Sequence, residues 1–343
     1  MDMPTAIGRV IERENLSRAE MNAIMKTIMT GEATQAQIGG FLVGLRMKGE
    51  TVDEITGAAE VMRELVTPVE VSQDRLVDTC GTGGSGSGKF NVSTASAFVT
   101  AAAGARVAKH GNRAASGRSG SADLLEAAGA EIMLAPEEVA RCIDTVGVGF
   151  MFAVSHHSAM KHAIGPRREM VVRTIFNLLG PLTNPAGARR QVLGVYDAGL
   201  VRTAAEVLGQ LGSEHVLVVH SADGLDEISI AAETHVAEMK DGELTEYDIC
   251  PEDFGLKRSS LEPLKVNDSE ESLALVRRAL DGSNEAASDI VALNAGAAIY
   301  VSGQALSLAA GVEMARDAIG AGLASEKMKD FADFTQQITD HDD

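Results

Sequence analysis

Residues 78–94 read DTCGTGGSGSGKFNVST, and this stretch decides the fold class of the chain. Five of the eight residues from Gly81 to Gly88 are glycine, between an apolar run at Leu76 and Val77 and a second run from Ala95 to Ala103. The pattern predicts a strand, a glycine loop and a helix. Glycines let backbone N–H groups approach an anion, and the positive end of a helix favours the same anion. We therefore expect a cradle for phosphate or pyrophosphate.

The glycine loop departs from the two best-known phosphate-binding motifs. GSGSGK resembles the end of a P-loop, but Phe90 follows Lys89 where that motif needs Ser or Thr, and the dinucleotide fingerprint is also absent. A flexible Gly/Ser linker is the alternative interpretation. The stretch is short and lies between two segments with the patterns of ordered elements, so we favour an anion-binding loop.

A second unit of the same kind follows in residues 106–130, which contain four glycines. Val107 and Ala108 are typical of the end of a strand, and Ser119 or Ser121 is expected to cap the helix that follows. Between them lie cations and hydrogen-bonding side chains: Lys109, His110, Asn112, Arg113, Ser116, Arg118, Ser119 and Ser121. Two such loops fit a ligand with more than one phosphate better than a single small anion.

Composition excludes several classes of protein. The 343 residues suffice for two domains or one large one, and 45% are hydrophobic, enough for a sizeable core. Aromatic residues make up 3% and Trp is absent, which disfavours a single-strand nucleic-acid binder that stacks bases. The net charge of −19 disfavours nucleic acid and anionic membranes as partners. The cations cluster instead near the glycine loops and between Arg167 and Arg173, as at a small-anion site.

The remaining general features indicate an intracellular setting. The three cysteines have no CxxC or CxxH spacing, so we expect neither a zinc site nor a disulfide framework. The chain shows no charged-then-apolar leader and no apolar run of membrane-spanning length. We therefore expect a cytoplasmic protein.

Two patterns divide the chain. The first seventy residues are helical in pattern, with capping boxes at Ser17–Glu20, Thr34–Gln37 and Thr51–Glu54, and we expect a packing lobe with an oligomer surface. From about residue 72, short apolar strands alternate with helices, which predicts an α/β fold with a mainly parallel sheet flanked by helices. The expected strands are Arg75–Asp78, Ala105–Lys109, Gly149–Phe152, Gln191–Tyr196, His215–His220 and Thr234–Met239.

Adjacent acids at Asp226 and Glu227 follow an apolar strand and a glycine turn. Two carboxylates on a loop that faces a polyphosphate would suit magnesium, which prefers oxygen ligands. A solvated acidic turn is the alternative, since acidic pairs also occur elsewhere, as at Glu137–Glu138. The segment HSADGLDE around the pair favours the metal site.

Four histidines invite a functional role. HHSAMKH carries His156, His157 and His162 at a spacing that fits no zinc motif, so we expect polar residues that line a hinge or pocket. His110 is either a general base or a residue that hydrogen-bonds within its loop. No catalytic acid or base is assigned.

Taken together, four blocks resemble the anthranilate phosphoribosyltransferases of tryptophan biosynthesis: DTCGTGG…FNVSTASAF, AKHGNRAASGRSGSADLLEAAG, GPRREMVVRTIFNLLGPLTNPAG and HSADGLDEIS. The resemblance implies a helical lobe at residues 1–70, joined by a helical insertion near 165–188, and an α/β lobe at residues 72–343. It also implies a homodimer formed through the helical lobes. The cleft between lobes would hold phosphoribosyl pyrophosphate, Mg²⁺ and anthranilate.

The resemblance also implies the residues of the site. Magnesium would contact Ser93, Asp226 and Glu227, and anthranilate would contact Gly81, Asn112 and Arg167. Arg168 would then be a solvated or structural cation. The position of both arginines just after Pro166 predicts the start of a helix there. Phosphoribosyl pyrophosphate would contact Gly81, Gly84, Ser85, Lys89, Asn91, Val92, Ser93, Thr94, Lys109, His110, Gly111, Asn112, Arg113, Ala114, Ala115, Ser116, Gly117 and Ser121.

Two positions depart from the pattern of that family. The family usually reads GTGGDG, whereas Ser85 stands at the aspartate position, and the position of Lys89 is usually a small hydroxyl or apolar residue. The exchange moves the local charge by two units toward positive. We expect it to suit pyrophosphate and to weaken a second metal nearby.

Two other functions remain open at this stage. A pyrimidine nucleoside phosphorylase would share the fold, but the block RREMVVRTIFNLLGPLTNP disfavours it. A non-catalytic nucleic-acid-binding homologue would need a basic cleft, which the net charge of −19 and the intact KHGN and DE segments disfavour.

Overall fold

The computed structural model describes residues 1–83, 88–114 and 119–339. Four helices open the chain: α1 (Met3–Ile11), α2 (Arg18–Met29), α3 (Gln35–Lys48) and α4 (Val52–Glu64). All three predicted capping boxes are present, because each Ser or Thr accepts a hydrogen bond from the third helical residue and the Glu or Gln there bonds back. The helical start of the chain is thereby confirmed.

Seven strands form one sheet in the order β3-β2-β1-β4-β5-β6-β7. Strands β1 to β5 are parallel to their neighbours, whereas β6 and β7 run antiparallel. The chain reverses its direction of travel across the sheet between β1 and β4, which is where ligands bind in such sheets. The strands are β1 (Leu76–Gly81), β2 (Arg106–Gly111), β3 (Val148–Phe152), β4 (Arg190–Gly194), β5 (His215–Ser221), β6 (Thr234–Lys240) and β7 (Glu243–Ile249).

Helices on both faces cover this sheet, as the alternating pattern predicts, and the α/β fold class is confirmed. Helices α12 to α15 form the C-terminal quarter of the chain. The remaining helices are α5 (Val92–Ala102), α6 (Ser121–Ala127), α7 (Pro136–Thr145), α8 (Ala153–His156), α9 (Lys161–Met170), α10 (Phe176–Leu179), α11 (Leu200–Gln210), α12 (Ser269–Leu280), α13 (Glu285–Ser302), α14 (Leu308–Gly320) and α15 (Leu323–Thr339).

Two hydrophobic cores lie on opposite faces of the sheet. In β5, Leu217 and Val219 point into a core that α5, α13 and α15 complete. Val216 and Val218 point into the other core, which α11 and the four N-terminal helices complete. Helix α9 packs against α2 and α3. These contacts agree with a helical insertion near 165–188, although the lobe boundaries stay a prediction.

Two local expectations were wrong. Helix α6 is capped at Gly120, not at Ser119 or Ser121, because Ser119 Oγ donates to Asn91 and Ser121 Oγ donates to the Asn112 carbonyl. Pro166 lies inside α9, so Arg167 and Arg168 occupy its last turn rather than its start. Among the described residues, no helix is both long and apolar enough to cross a membrane.

Candidate active site

The candidate site lies at the carboxyl ends of β1, β2, β4 and β5. Gly81 ends β1 and pairs with Gly194 at the end of β4. The loop after β5 rests directly on both glycines: a Cβ at Gly194 would overlap the Asp226 carbonyl, and one at Gly81 would lie 2.9 Å from Asp226 Oδ2. Only glycine at these two strand ends lets the acid pair approach the first glycine loop so closely.

The chain's own cations and amides meet the first of the two acids. Lys89 Nζ lies 2.6 Å from Asp226 Oδ1, and the Gly83 amide donates to Oδ2 at 3.1 Å. The side chains of Lys89 and Asp226 are only 14% and 6% exposed. Burial disfavours the ammonium, but the nearby carboxylates, first those of Asp226 and Glu227, outweigh it and raise the pKa of Lys89. Lys89 and Asp226 therefore form an ion pair that is almost completely shielded from solvent.

Glu227, the second acid, is in a different state. Burial raises the pKa of its carboxyl to about 7, and the charge of Asp226 adds to this effect, while Lys89, Lys109 and the Ser93 backbone amide oppose it. Ser93 lies in the first turn of α5, which follows the first glycine loop. The structure thus brings all three predicted magnesium contacts, Ser93, Asp226 and Glu227, to one place.

A buried network, which the sequence does not single out, supports the end of β2. Lys109 Nζ donates to the Thr79 carbonyl at 2.5 Å. Asp78 is fully buried and accepts hydrogen bonds from the His110 amide at 3.2 Å and from Gln191 at 3.3 Å. Burial raises the pKa of Asp78 and lowers that of Lys109, and each opposes the shift of the other through its charge. The sequence does carry one indication of this network, which is the presence of an acid, Asp78, within the apolar start of a strand.

The two loops are joined by Asn91, a predicted pyrophosphate contact. Its side-chain oxygen accepts from Ser119 Oγ at 2.8 Å and from Ser272 Oγ at 2.7 Å, and its amide donates to the Ser119 carbonyl at 3.2 Å. Its side chain therefore connects the start of α5 with the second loop and with α12. The neighbouring Val92 points into the hydrophobic core, so only its backbone can face a ligand.

The second loop is held by acids of α6. Asp123 Oδ2 accepts from the amides of Ala114 at 3.0 Å and Gly120 at 2.9 Å. The guanidinium of Arg113 pairs with Glu126 at 2.6 Å and lies over the Phe152 ring, with its side chain 47% exposed. In this structure Arg113 thus faces α6 rather than the acid pair. The predicted contacts Gly84, Ser85, Ala115, Ser116 and Gly117 lie outside the described residues.

Three histidines line the region beside β2. The rings of His110 and His157 lie 5.0 Å apart, and the buried Nε2 atoms of His110, His156 and His157 have no hydrogen-bond partner among the described residues. Burial lowers the pKa of His157 to about 4 and that of His110 well below its usual range, so both are neutral. His162 instead packs beside Gly31 of the helical lobe.

The two neighbouring arginines of α9 lie in different environments. Arg167 is half-buried over the Phe176 ring at 5.2 Å, and burial lowers its pKa, whereas Arg168 is exposed. The expected role of Arg167 toward anthranilate stays a prediction. In the described part of the chain, however, no hydrogen bond links Arg167 with the other predicted anthranilate contacts, Gly81 and Asn112.

Two family models match this architecture. The helical bundle domain of the glycosyl transferase family matches residues 4–66, and the a/b domain of that family matches residues 73–325. The chain is 64% identical over 342 residues to the anthranilate phosphoribosyltransferase of Cellvibrio japonicus, covering 98% of this chain and 100% of the relative. The chain belongs to the anthranilate phosphoribosyltransferase family.

Further relatives and solved structures agree. The anthranilate phosphoribosyltransferase of Chromohalobacter salexigens is 62% identical over 343 residues, the full length of both chains. The crystal structure of the enzyme from Thermus thermophilus superposes with a TM-score of 0.91 at 44% identity, covering 96% of this chain and 99% of that one. The Saccharomyces cerevisiae enzyme in complex with PRPP and Mg has a TM-score of 0.88 at 23% identity, covers 98% of both chains, and shows the likeness of fold.

The donor set of this family member suits a hard cation. Asp226, Glu227 and Ser93 offer carboxylate and hydroxyl oxygens, the ligand type that magnesium prefers. Among the described residues, no group of three His, Cys, Asp or Glu side chains is placed to hold a metal. Magnesium would therefore need further oxygens from a bound substrate, as is usual where it binds phosphates. The fit is good at Glu227 and Ser93, while Lys89 lies on Asp226.

Proposed function

We propose that this protein transfers the phosphoribosyl group of 5-phosphoribosyl 1-pyrophosphate to the amine of anthranilate and releases pyrophosphate. The observation that carries this proposal is the meeting of two cations, Lys89 and Lys109, with the acid pair Asp226–Glu227 where two strand–loop–helix units end. Such a site suits a pyrophosphate bound together with a metal. The relatives with 60–64% identity carry the name of this activity, which favours it over nucleoside phosphorolysis.

The described parts of the two loops would hold phosphoribosyl pyrophosphate. Backbone amides in the first turn of α5 are suited to the leaving pyrophosphate, because the start of a helix binds anions. Lys89 and Lys109 would supply positive charge. Gly111, Asn112 and Ser121 lie together at the end of β2 and would contact the ribose phosphate end.

Magnesium is part of the proposal. The solved structure of the Saccharomyces cerevisiae relative is a complex with PRPP and Mg, and the oxygens of Asp226, Glu227 and Ser93 suit the same ion here. When bound, it would neutralise charge on the leaving pyrophosphate. Hydrogen bonds from the Gly83 amide, Lys89 and the Ser93 amide orient the acid pair.

The chemistry is a substitution at C1 of the ribose. The bond from C1 to the pyrophosphate oxygen breaks, C1 becomes oxocarbenium-like, and the amine lone pair of anthranilate forms the new C1–N bond. The site contributes by holding both reactants together and by stabilising the charge of the leaving group. An aromatic amine binds a proton weakly, so its proton leaves easily after the bond forms and no strong base is needed.

Anthranilate would be held at its carboxylate. The Arg167 guanidinium is half-buried, and a partly desolvated guanidinium binds a carboxylate through two parallel hydrogen bonds. Asn112 and Gly81 would complete this end of the cleft. Because these contacts are not made in the free chain, the lobes are expected to approach each other when the substrates bind.

The assembly proposed is a cytoplasmic homodimer. Helices α1 and α3 pack against each other, and their outer side carries Ile11 at 63% exposure and Met47 at 73%, with Val43 nearby. Exposed apolar side chains grouped in this way are typical of a contact between copies.

The activity is tested by following anthranilate fluorescence during incubation with phosphoribosyl pyrophosphate. We expect the signal to fall with magnesium present, to stop falling when a chelator is added, and to fall again when magnesium is restored. Asp226→Asn should lose most of this activity while remaining folded. Constant anthranilate, with phosphate-dependent cleavage of a pyrimidine nucleoside, would identify the alternative function.

A further inference from the structure

The acid pair of the free protein already carries a cation that belongs to the chain. Lys89 Nζ lies 2.6 Å from Asp226 Oδ1, and the Gly83 amide donates a hydrogen bond to Asp226 Oδ2. Both carboxylate oxygens of Asp226 therefore accept hydrogen bonds from the first glycine loop. Glu227, in contrast, has a hydrogen bond from the Ser93 amide and a pKa raised by burial.

The position of Lys89 is built into the fold. Its backbone forms an antiparallel bridge with Lys265, flanked by hydrogen bonds from the Phe90 amide to the Leu264 carbonyl at 3.1 Å and from the Val266 amide to the Gly88 carbonyl at 2.8 Å. Phe90 is fully buried in the core. Since successive side chains of an extended segment point to opposite sides, burying Phe90 directs Lys89 toward the acids. The ion pair is therefore unlike a loose surface contact between two long side chains.

This geometry sets an ammonium in competition with a divalent ion. Magnesium binds carboxylates as part of a near-ideal octahedron and gives up its waters reluctantly. An ammonium at hydrogen-bond distance on Asp226 Oδ1 occupies one such position, and two cations on one nearly buried carboxylate repel each other strongly. A pyrophosphate group, which carries several negative oxygens, offers Lys89 another partner at the same place.

We propose that Lys89 is the resident cation of the pyrophosphate site and keeps divalent metal off Asp226 until pyrophosphate arrives. In the free protein, Lys89 neutralises Asp226. When pyrophosphate binds, the ammonium moves to a pyrophosphate oxygen and leaves Asp226 to the metal that accompanies the substrate. Metal therefore reaches Asp226 only once pyrophosphate has drawn the ammonium away. This role rests on the proposed function only in taking pyrophosphate as the ligand.

The test uses Mn²⁺, whose free concentration is measured by electron paramagnetic resonance, on the full chain without substrate. We expect Lys89→Met to bind Mn²⁺ at least about tenfold more tightly than the native chain (1.4 kcal/mol per tenfold). Lys89→Gln should do the same, and Lys89→Arg should remain like the native chain. Lys265→Met is the matched control. It removes an exposed ammonium that pairs with Glu262, on the segment that forms the backbone bridge with Lys89. Adding Asp226→Asn to Lys89→Met should remove the gain.

A second measurement follows pyrophosphate itself. In excess chelator, calorimetry should show the native chain and Lys265→Met binding pyrophosphate, and Lys89→Met binding it at least about tenfold more weakly.

Equal Mn²⁺ affinity in the native chain, Lys89→Met and Lys89→Gln would overturn the proposal, as would unchanged binding of pyrophosphate. Neither measurement needs anthranilate or turnover. A chain that failed to make product could therefore still confirm the role of Lys89. A chain that made product with unchanged Mn²⁺ affinity in the variants would keep its function and lose this role.

Discussion

Asp78 shows how one buried side chain can place several functional groups. Its carboxylate holds the His110 amide and lies beside Lys109, although neither group is near it in sequence. A charged group inside a protein is stable only with compensating charges and hydrogen bonds. Asp78 supplies both for the end of β2, so it would act on the proposed substrate site through Lys109 and His110.

Asp78→Asn should therefore impair binding of phosphoribosyl pyrophosphate. The amide keeps the shape but leaves Lys109 without its counter-charge, and the loss of charged hydrogen bonds should cost about 1.5–3 kcal/mol of folding free energy. We expect a higher KM for phosphoribosyl pyrophosphate and a lower denaturation midpoint, measured by steady-state kinetics and urea unfolding. The control is Asp144→Asn. It removes an exposed acid that pairs with Arg106 of β2, the strand that also carries Lys109. If both variants behave alike, Asp78 does not position Lys109.

Arg167 and Arg168 provide a matched pair for the other substrate. Truncating a carboxylate partner in a desolvated pocket costs on the order of 2–5 kcal/mol, which is about 30- to several-thousand-fold in the use of substrate. Arg167→Ala should therefore raise the KM for anthranilate by such a factor and leave that for phosphoribosyl pyrophosphate nearly unchanged. Arg168→Ala should change neither value. A loss that falls on phosphoribosyl pyrophosphate, measured in the same assay, would refute the assignment.

At this scale, sequence reasoning reached the residues that lie in contiguous motifs. That Ser93 and the acid pair lie together followed from the resemblance of contiguous motifs, whereas their contacts with a ligand stay a prediction. The Lys89–Asp226 pair could not be predicted, because the two residues are 137 positions apart and only the strand order brings them together. The caps of α6 were also misjudged, since the serines have tertiary partners that outcompete local capping.

Among the elements, α4 shows how a helix cap can also tie a lobe together. Glu54 closes the capping box of α4, but it is also fully buried and accepts hydrogen bonds from the Leu16 amide at 2.8 Å and from Lys48 Nζ at 2.9 Å. The first turn of α4 thereby fixes the start of α2 and the end of α3. Glu20 closes the corresponding box of α2 at a more exposed position.

Glu54→Gln should consequently destabilise the protein far more than Glu20→Gln. The first change leaves the buried ammonium of Lys48 without its carboxylate, and breaking a buried pair costs about 3–5 kcal/mol. The second keeps the capping box, which glutamine also closes, and removes only a partly exposed ion pair with Arg9, for which about 0–1 kcal/mol is typical. Urea denaturation of both variants against the native chain measures the difference. Equal midpoints would mean that Glu54 is only a cap.

The Glu238 carboxyl in β6 predicts how the stability of the protein changes at acid pH. Burial would raise the pKa of Glu238 in β6, but hydrogen bonds from His215, Tyr247 and Tyr300 outweigh burial and lower it to about 2. Because the folded pKa is depressed, this stabilisation is complete above the unfolded value of 4.5 and is lost as the pH falls toward about 2.

Glu238→Gln should accordingly be less stable than the native chain at pH 6. Below about pH 4.5 the difference should shrink by about 1.4 kcal/mol per pH unit, because the native chain then takes up a proton on unfolding. Denaturant unfolding at pH 6, 5, 4 and 3.5 measures this trend. A constant difference would show that Glu238 does not titrate with a lowered pKa.

Strand β7 shows why one element escaped prediction. Its sequence ELTEYDI is largely polar because most of its residues are exposed or half-buried at this edge of the sheet, so it lacks an apolar run; β3, at the opposite edge, is fully buried and apolar. The turn before it did carry a signal, since Asp241 and Gly242 both have positive φ and Asp-Gly is typical of a tight hairpin. The other six strands were predicted to within three residues at each end, because their central residues are mostly buried and apolar.

For the whole molecule, the proposed homodimer makes a measurable prediction. Sedimentation should give twice the chain mass of 35.9 kDa at micromolar concentration. Met47→Asp should shift the protein toward a monomer, since it places a charge on the exposed apolar side of α3. The control is Leu306→Asp, at a fully exposed leucine between α13 and α14. A native monomer, or a Met47→Asp variant that remains dimeric, would contradict an interface at this face.

The sheet that separates the two cores also joins them. Alternate residues of β5 belong to opposite cores, and Arg63 of α4 donates to the Leu211 carbonyl of the α/β lobe at 3.0 Å. If either core unfolded alone, one face of the shared strands would be exposed to solvent and the other core would lose its support. Calorimetry should therefore show a single cooperative unfolding transition. For the same reason, the helical lobe is not a module that evolution or an engineer could exchange alone: a transplanted α/β half would carry an uncovered apolar face and aggregate.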